Sequence, residues 1–182
     1  MNLKEIILSS QPELSCDIFP HVRMRAGNDT SAIKGALGEA YVSFWLSRVS
    51  DFEKKYNSLD LVERPNYVYS DSDHGVLVKR DNRPYSEVDG LCRIAGVNFG
   101  IEVKSNKIGN ILYKLQRKMK ISSEVLGDEN CKFALFFPYS SNDRSDILAI
   151  EDKFGEKVSC IDLGYRRSDL SSLVKDYKKL KF

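Results

Sequence analysis

No stretch of this sequence is apolar for anything near the ~20 residues that a membrane-spanning helix requires, and none is repeated or low in complexity. The opening residues, MNLKEIILSSQPELS, lack the basic start and long apolar core of a secretion signal. The expectation is therefore a cytoplasmic protein without a membrane partner. Cysteine is scarce: Cys16, Cys92, Cys131 and Cys160 are scattered without a CxxC pair, which argues against a zinc site and reads as small hydrophobes in strands. Spacing alone leaves open whether any two are bridged. The only histidines, His21 and His74, are far apart in sequence and call for no catalytic role. A strong charge of one sign is also missing, since the net charge is +2, so a nucleic-acid partner has to be argued from where the charges lie.

What is present suits one globular domain. With 42% hydrophobic and 30% charged residues the chain is neither disordered nor membrane-like. Its 182 residues can bury roughly 70% of the unfolded surface. The charge is uneven: Lys104, Lys107, Lys114, Arg117, Lys118 and Lys120 follow one another with no acidic residue between, and the C-terminal tail repeats the basic bias.

Periodicity gives the order of elements. Asp29, Thr30 or Ser31 caps a helix to about Arg48, with Ile33, Leu37, Ala40, Phe44 and Leu46 or Val49 as its stripe. Gly35 and Gly38 on that helix predict a close approach by backbone or ligand, and Glu39 stands beside them. LDLVERPNYVYS suggests a strand ended or broken at Pro65, and Gly75 to Lys79 a short strand. Ile108 to Leu126 has helical spacing and a Gly127 stop, with Lys114, Arg117 and Lys118 on one face. Lys132 to Phe137 reads as a buried strand, Asp146 to Ile150 and Val158 to Leu163 as two more, and Ser168 opens a last helix. The fold class is α/β, a mixed β-sheet flanked by helices on both faces. The 182 residues form a single domain with an arm (1–29), a core (about 31–138) and a C-terminal strand pair and helix (146–182).

The organising stretch is Tyr85 to Lys104, YSEVDGLCRIAGVNFGIEVK. Two alternating runs meet at Ala95-Gly96, the pattern of a half-buried hairpin. With that pair as the loop, Ile94 faces Val97, Cys92 faces Phe99, Gly90 faces Ile101 and Val88 faces Val103. The other face then sets Asp89 opposite Glu102 and Glu87 opposite Lys104. Opposed side chains have Cβ atoms about 4.5–5.5 Å apart, so one carboxyl should have a raised pKa unless a cation lies between them. A hard divalent ion with oxygen ligands answers that need, and Lys104 can reach the same point. Acid-x-Lys occurs four times in the chain; Glu102 is set apart by its apolar strand, by Asp89 opposite and by the basic helix that follows.

Glu39 in GALGEA, Asp89 in SEVDG and Glu102-Val103-Lys104 in GIEVKS, in that order, resemble the PD-(D/E)XK nuclease superfamily, with the restriction-endonuclease-like fold. In size and motif order the chain is similar to archaeal and viral Holliday-junction resolvases, over about Ser31 to Pro138. Val88 stands where the motif's naming proline would be, and Lys120 where some exonuclease branches have a tyrosine after a glutamine such as Gln116. The resemblance implies a core order α-β-β-β-α-β. It also implies Mg²⁺ or Mn²⁺ held by Asp89, Glu102 and the Val103 carbonyl, with Glu39 acting through water or on a second ion. Lys104 would orient the attacking water or neutralise developing charge.

The expectation is a metal-dependent endonuclease on branched or structured DNA, acting as a homodimer that makes two symmetric cuts. Lys107, Lys114, Arg117 and Lys118 would contact phosphate without reading sequence. Two alternatives stand beside it: a sequence-specific restriction-type or repair endonuclease, and a non-catalytic nucleic-acid-binding protein that keeps the fold.

Overall fold

The computed structural model describes residues 3–9, 11–22, 29–48, 67–72, 75–104, 111–139 and 144–181. Chain order is α1 (Leu3–Ser9), a 3-10 turn (Cys16–His21), α2 (Thr30–Leu46), β1 (Tyr67–Ser72), β2 (Gly75–Arg80), β3 (Arg83–Val88), β4 (Gly90–Ile94), β5 (Val97–Val103), α3 (Ile111–Leu126), β6 (Lys132–Tyr139), α4 (Arg144–Phe154), β7 (Val158–Tyr165) and α5 (Arg167–Lys181). The architecture is mixed α/β with two sheets. One is antiparallel, in the order β1-β2-β3; the other is mixed, in the order β4-β5-β6-β7, antiparallel at β4–β5 and parallel thereafter.

Helices cover both faces of the mixed sheet, because its strands alternate between two apolar clusters. Cys92, Ile94, Phe99, Ile101, Val103, Ala134, Phe136, Ile161 and Leu163 pack under α2, α5 and the Cys16–His21 turn. Leu91, Phe133, Leu135, Phe137, Val158 and Cys160 pack under α3 and α4, joined by Val76, Val78 and Val88 from the antiparallel sheet. Helix α2 starts where the carboxylate of Asp29 accepts from the backbone N–H groups of Ser31 and Ala32, satisfying donors that a first turn leaves orphaned. The N-terminal arm is tied down as well: the Pro12 carbonyl accepts from the hydroxyls of Tyr41 and Tyr165, and the Gln11 amide donates to Leu163 O.

The expected hairpin register holds for β4 and β5, with Ile94 paired to Val97, Cys92 to Phe99 and Gly90 to Ile101. Ala95 and Gly96 both have positive φ, 49° and 77°, as a two-residue loop following the strand twist requires. The register stops at Gly90. Tyr85 to Val88 belongs to the other sheet, where Val88 pairs with Val76 and Glu87 with Leu77, so Val88 does not face Val103 and Glu87 does not face Lys104. The chain bends at Asp89 and changes sheets there.

Two further expectations are corrected. Asp146 to Ile150 is no strand but lies within α4. Parallel neighbours such as β6 and β7 need a crossover that is usually helical, and Ile147, Ile150 and Phe154 have the spacing for one buried face. At Gly35 a side chain would meet nothing within 4 Å among the described residues, so the expected approach by backbone is not made there. The strand expected to end or break at Pro65 lies mostly outside the described residues; β1 begins after it. Among the described residues all four cysteines are free, with Cys92 and Cys160 buried in strands, and no helix is long and apolar enough to cross a membrane.

Candidate active site

Strand β5 turns Phe99, Ile101 and Val103 into the core beneath α2, which leaves Gly100 and Glu102 facing the other way, toward α3. Gly100 is required there: a methyl group on it would fall 2.7 Å from the ring of Phe133 and closer still to Ser122 Oγ. Its absence lets the helix settle against the strand. One turn before Ser122 on α3 stands Lys118, which is thereby brought over Glu102.

Glu102 is 1% exposed. A carboxylate so placed must be paired or neutralised, and here each oxygen has its own cation. Lys104 Nζ lies 2.6 Å from Oε1, and Lys118 Nζ donates to Oε2. Lys104 is held just past the strand end, where its backbone N–H continues the ladder to Phe136 O at 2.8 Å.

Asp89 sits at the bend between sheets. Its N–H donates to Ile101 O at 3.0 Å, and its Oδ2 accepts from Val103 N at 2.7 Å. The carboxylate thus closes the end of the β4–β5 ladder where a backbone carbonyl would otherwise serve. Burial, then the charge of Glu102, push the Asp89 carboxyl well above the ordinary carboxylate range; Glu39 adds to the rise, while Lys118 and the Val103 N–H oppose it. Burial alone would lower the Lys104 ammonium, but Glu102, Asp89 and Glu39 together hold it above its usual value.

The sequence-predicted residues Glu39, Asp89, Glu102 and Lys104 therefore act on one another electrostatically, although they come from α2, a bend and the end of β5. The expected carboxylate repulsion is present between Asp89 and Glu102. Lys118 departs from its expected place on a solvated basic face: it turns inward and completes the cluster. A signal for this was in the chain, because Ile111, Leu115, Lys118, Ser122 and Val125 follow the 4-3-4-3 spacing of a buried stripe, and the other four are buried. Lys114 and Arg117 are exposed on α3, Arg117 with its guanidinium 5.6 Å from the Tyr113 ring and 5.9 Å from the Tyr85 ring. Lys107 lies outside the described residues.

Asp89 and Glu102 offer the oxygen donors that a hard dication prefers. Yet among the described residues no group of three acidic, histidine or cysteine side chains is gathered tightly enough to hold one. Ammonium groups occupy both Glu102 oxygens, and a backbone N–H occupies one of Asp89. A cation entering here would compete with Lys118 for Glu102 and with a proton for Asp89. No family model, curated protein or solved structure matches the chain.

Proposed function

We propose that the protein is a divalent-metal-dependent endonuclease that cuts branched or otherwise structured DNA, with a restriction-endonuclease-like core. The observation that supports this best is the meeting of Asp89, Glu102 and Lys104 at one end of the mixed sheet, where the charge of Glu102 raises the Asp89 carboxyl and holds the Lys104 ammonium above its usual value. Asp89, Glu102 and the Val103 carbonyl would hold Mg²⁺ or Mn²⁺, with Glu39 acting through water or on a second ion. A bound dication supplies a water of lowered pKa and stabilises charge on the phosphate.

The chain's own groups do the rest. Lys104, whose raised pKa keeps its proton, offers positive charge to a phosphate oxygen rather than serving as a base. Asp89, whose carboxyl is raised by burial and by Glu102, would have to be ionised to hold the cation. Lys114 and Arg117, with the basic residues of α5, supply salt-dependent phosphate contacts. Two copies acting together would give the paired cuts that a symmetric junction needs, each leaving a 5′-phosphate.

A second reading is favoured by the lysine clamp on Glu102: a nucleic-acid-binding protein that keeps the fold but has replaced the metal with Lys118. Incubation with a four-way junction, a flap and a linear duplex, in Mg²⁺ and in chelator, separates the two. Mg²⁺-dependent cutting of junction or flap supports the nuclease. Binding without cutting in Mg²⁺ or Mn²⁺ supports the clamp reading, and cutting of linear duplex at one sequence points to a restriction-type enzyme.

A further inference from the structure

The turn joining β2 to β3 is built for close exposure of charge. Asp81 and Asn82 have φ of 51° and 62°, so the hairpin closes in two residues and sets Arg80 directly opposite Arg83. Like charges so opposed destabilise a hairpin. The Asp81 carboxylate, 4.0 Å from Arg80 Nε, offsets only one of them.

Beyond the turn, the ladder runs from Lys79–Pro84 to Val78–Ser86 and leaves Tyr85 as the extra residue of a bulge, a device that re-aims a side chain. Two guanidiniums stand over the Tyr85 ring, Arg80 at 5.7 Å and Arg117 of α3 at 5.9 Å. Arg117 also stands 5.6 Å from the ring of Tyr113, a residue that is 74% exposed. Beside them Arg80, Asp81, Arg83, Pro84 and Tyr85 line a cavity of about 420 Å³. That volume is within the range that small ligands fill.

We infer that this surface binds unpaired nucleotides of a DNA strand, with bases stacking on Tyr113 and the arginine planes and phosphates meeting Arg80 and Arg83. Alternating cations and flat rings are what a sequence-tolerant single-strand site combines. Phosphates of any strand relieve the charge repulsion at the hairpin end, but bases inside a duplex do not present their faces, so only an unpaired strand also offers a base to Tyr113. Tyr85 is four residues along the chain from Asp89, at most about 13 Å. That span places cutting within a few nucleotides of the unpaired segment. The inference depends on the proposed function only in taking DNA as the substrate.

The test is fluorescence anisotropy with a labelled 12-nucleotide oligo-dT, an abasic strand of the same length and a 12-base-pair duplex, all in chelator so that cutting plays no part. The expected result is a preference for oligo-dT over both other probes. Tyr113→Ala and Arg83→Ala should each weaken oligo-dT binding about tenfold, while Tyr113→Phe binds as the parent does. Equal affinity for the abasic strand, or no loss in Tyr113→Ala and Arg83→Ala, overturns the inference. Retained oligo-dT preference in a protein that cuts no substrate in Mg²⁺ would leave this site standing and remove the nuclease reading alone.

Discussion

Lys118 of α3 and Glu102 of β5 form an ion pair across the packed seam between helix and sheet, and the missing side chain of Gly100 is what allows the two elements to come that close. The glycine faces α3 two residues before the glutamate, just as Ser122 lies one turn beyond the lysine. The site is therefore a property of helix packing as much as of the strand that carries its acids.

Gly100→Ala tests that dependence. The methyl group must displace the Phe133 ring and the Ser122 hydroxyl, at a cost of about 1–3 kcal/mol, and a resulting shift of α3 pulls Lys118 away from Glu102. Denaturant unfolding should show the loss, and any Mg²⁺-dependent cutting should fall with it. A variant as stable as the parent would mean the seam is looser than described.

Lys118→Met separates clamp from catalyst. In chelator the loss of one partner of a buried pair should cost about 3 kcal/mol, seen as a lower melting temperature. Mn²⁺ should then raise the melting temperature of the variant more than that of the parent, because the competing ammonium is gone. Equal or smaller stabilisation by Mn²⁺ in the variant would contradict a cation site at Glu102.

Asp89 makes the stability depend on pH with a definite sign. Its native carboxyl is held above the ordinary value of about 3.9, by burial and by Glu102. As pH rises from that ordinary value, the unfolded chain loses the proton first, so native stability falls until the raised native pKa is passed. Asp89→Asn keeps an oxygen for the Val103 N–H and loses the charge. Thermal unfolding across pH 4 to 8 should show the variant close to the parent at the acid end and more stable at the alkaline end. Metal affinity of the parent should rise with pH over the same interval.

Ala95 holds φ of 49° in the β4–β5 turn, a region costly for a residue with a Cβ and better suited to asparagine. Ala95→Asn should stabilise the protein by up to about 1 kcal/mol without altering the site. Unfolding midpoints measured in chelator check the gain, and a destabilised variant would contradict the turn geometry.

The turn shows how much was legible beforehand. Apolar alternation in Leu91 to Ile94 and Val97 to Val103 fixed the pairing of β4 and β5 although Ala-Gly is a weak loop signal, because a slip by one residue would bury Arg93 and Asn98. The same alternation continues through Tyr85 to Val88, yet those residues pair with β2 instead. Period-two patterning says which face is buried but not which sheet supplies the partner. The acids were found because Glu102 breaks an apolar strand. Lys118 was hidden among basic neighbours, its inward place marked only by the spacing of Leu115 and Ser122. Asp146 to Ile150 reads as a strand because a short apolar run fits either period, and only the parallel pairing of β6 and β7 requires a helix there.

The central claim is tested most directly by end-labelled four-way junction and flap DNA incubated in Mg²⁺ with the parent, Asp89→Ala and Glu102→Ala, with binding measured separately in chelator. The account predicts cutting by the parent alone, at products bearing a 5′-phosphate, and comparable DNA binding by all three proteins. Undiminished cutting by both variants would contradict it, as would a parent that binds these substrates and leaves them intact in both Mg²⁺ and Mn²⁺.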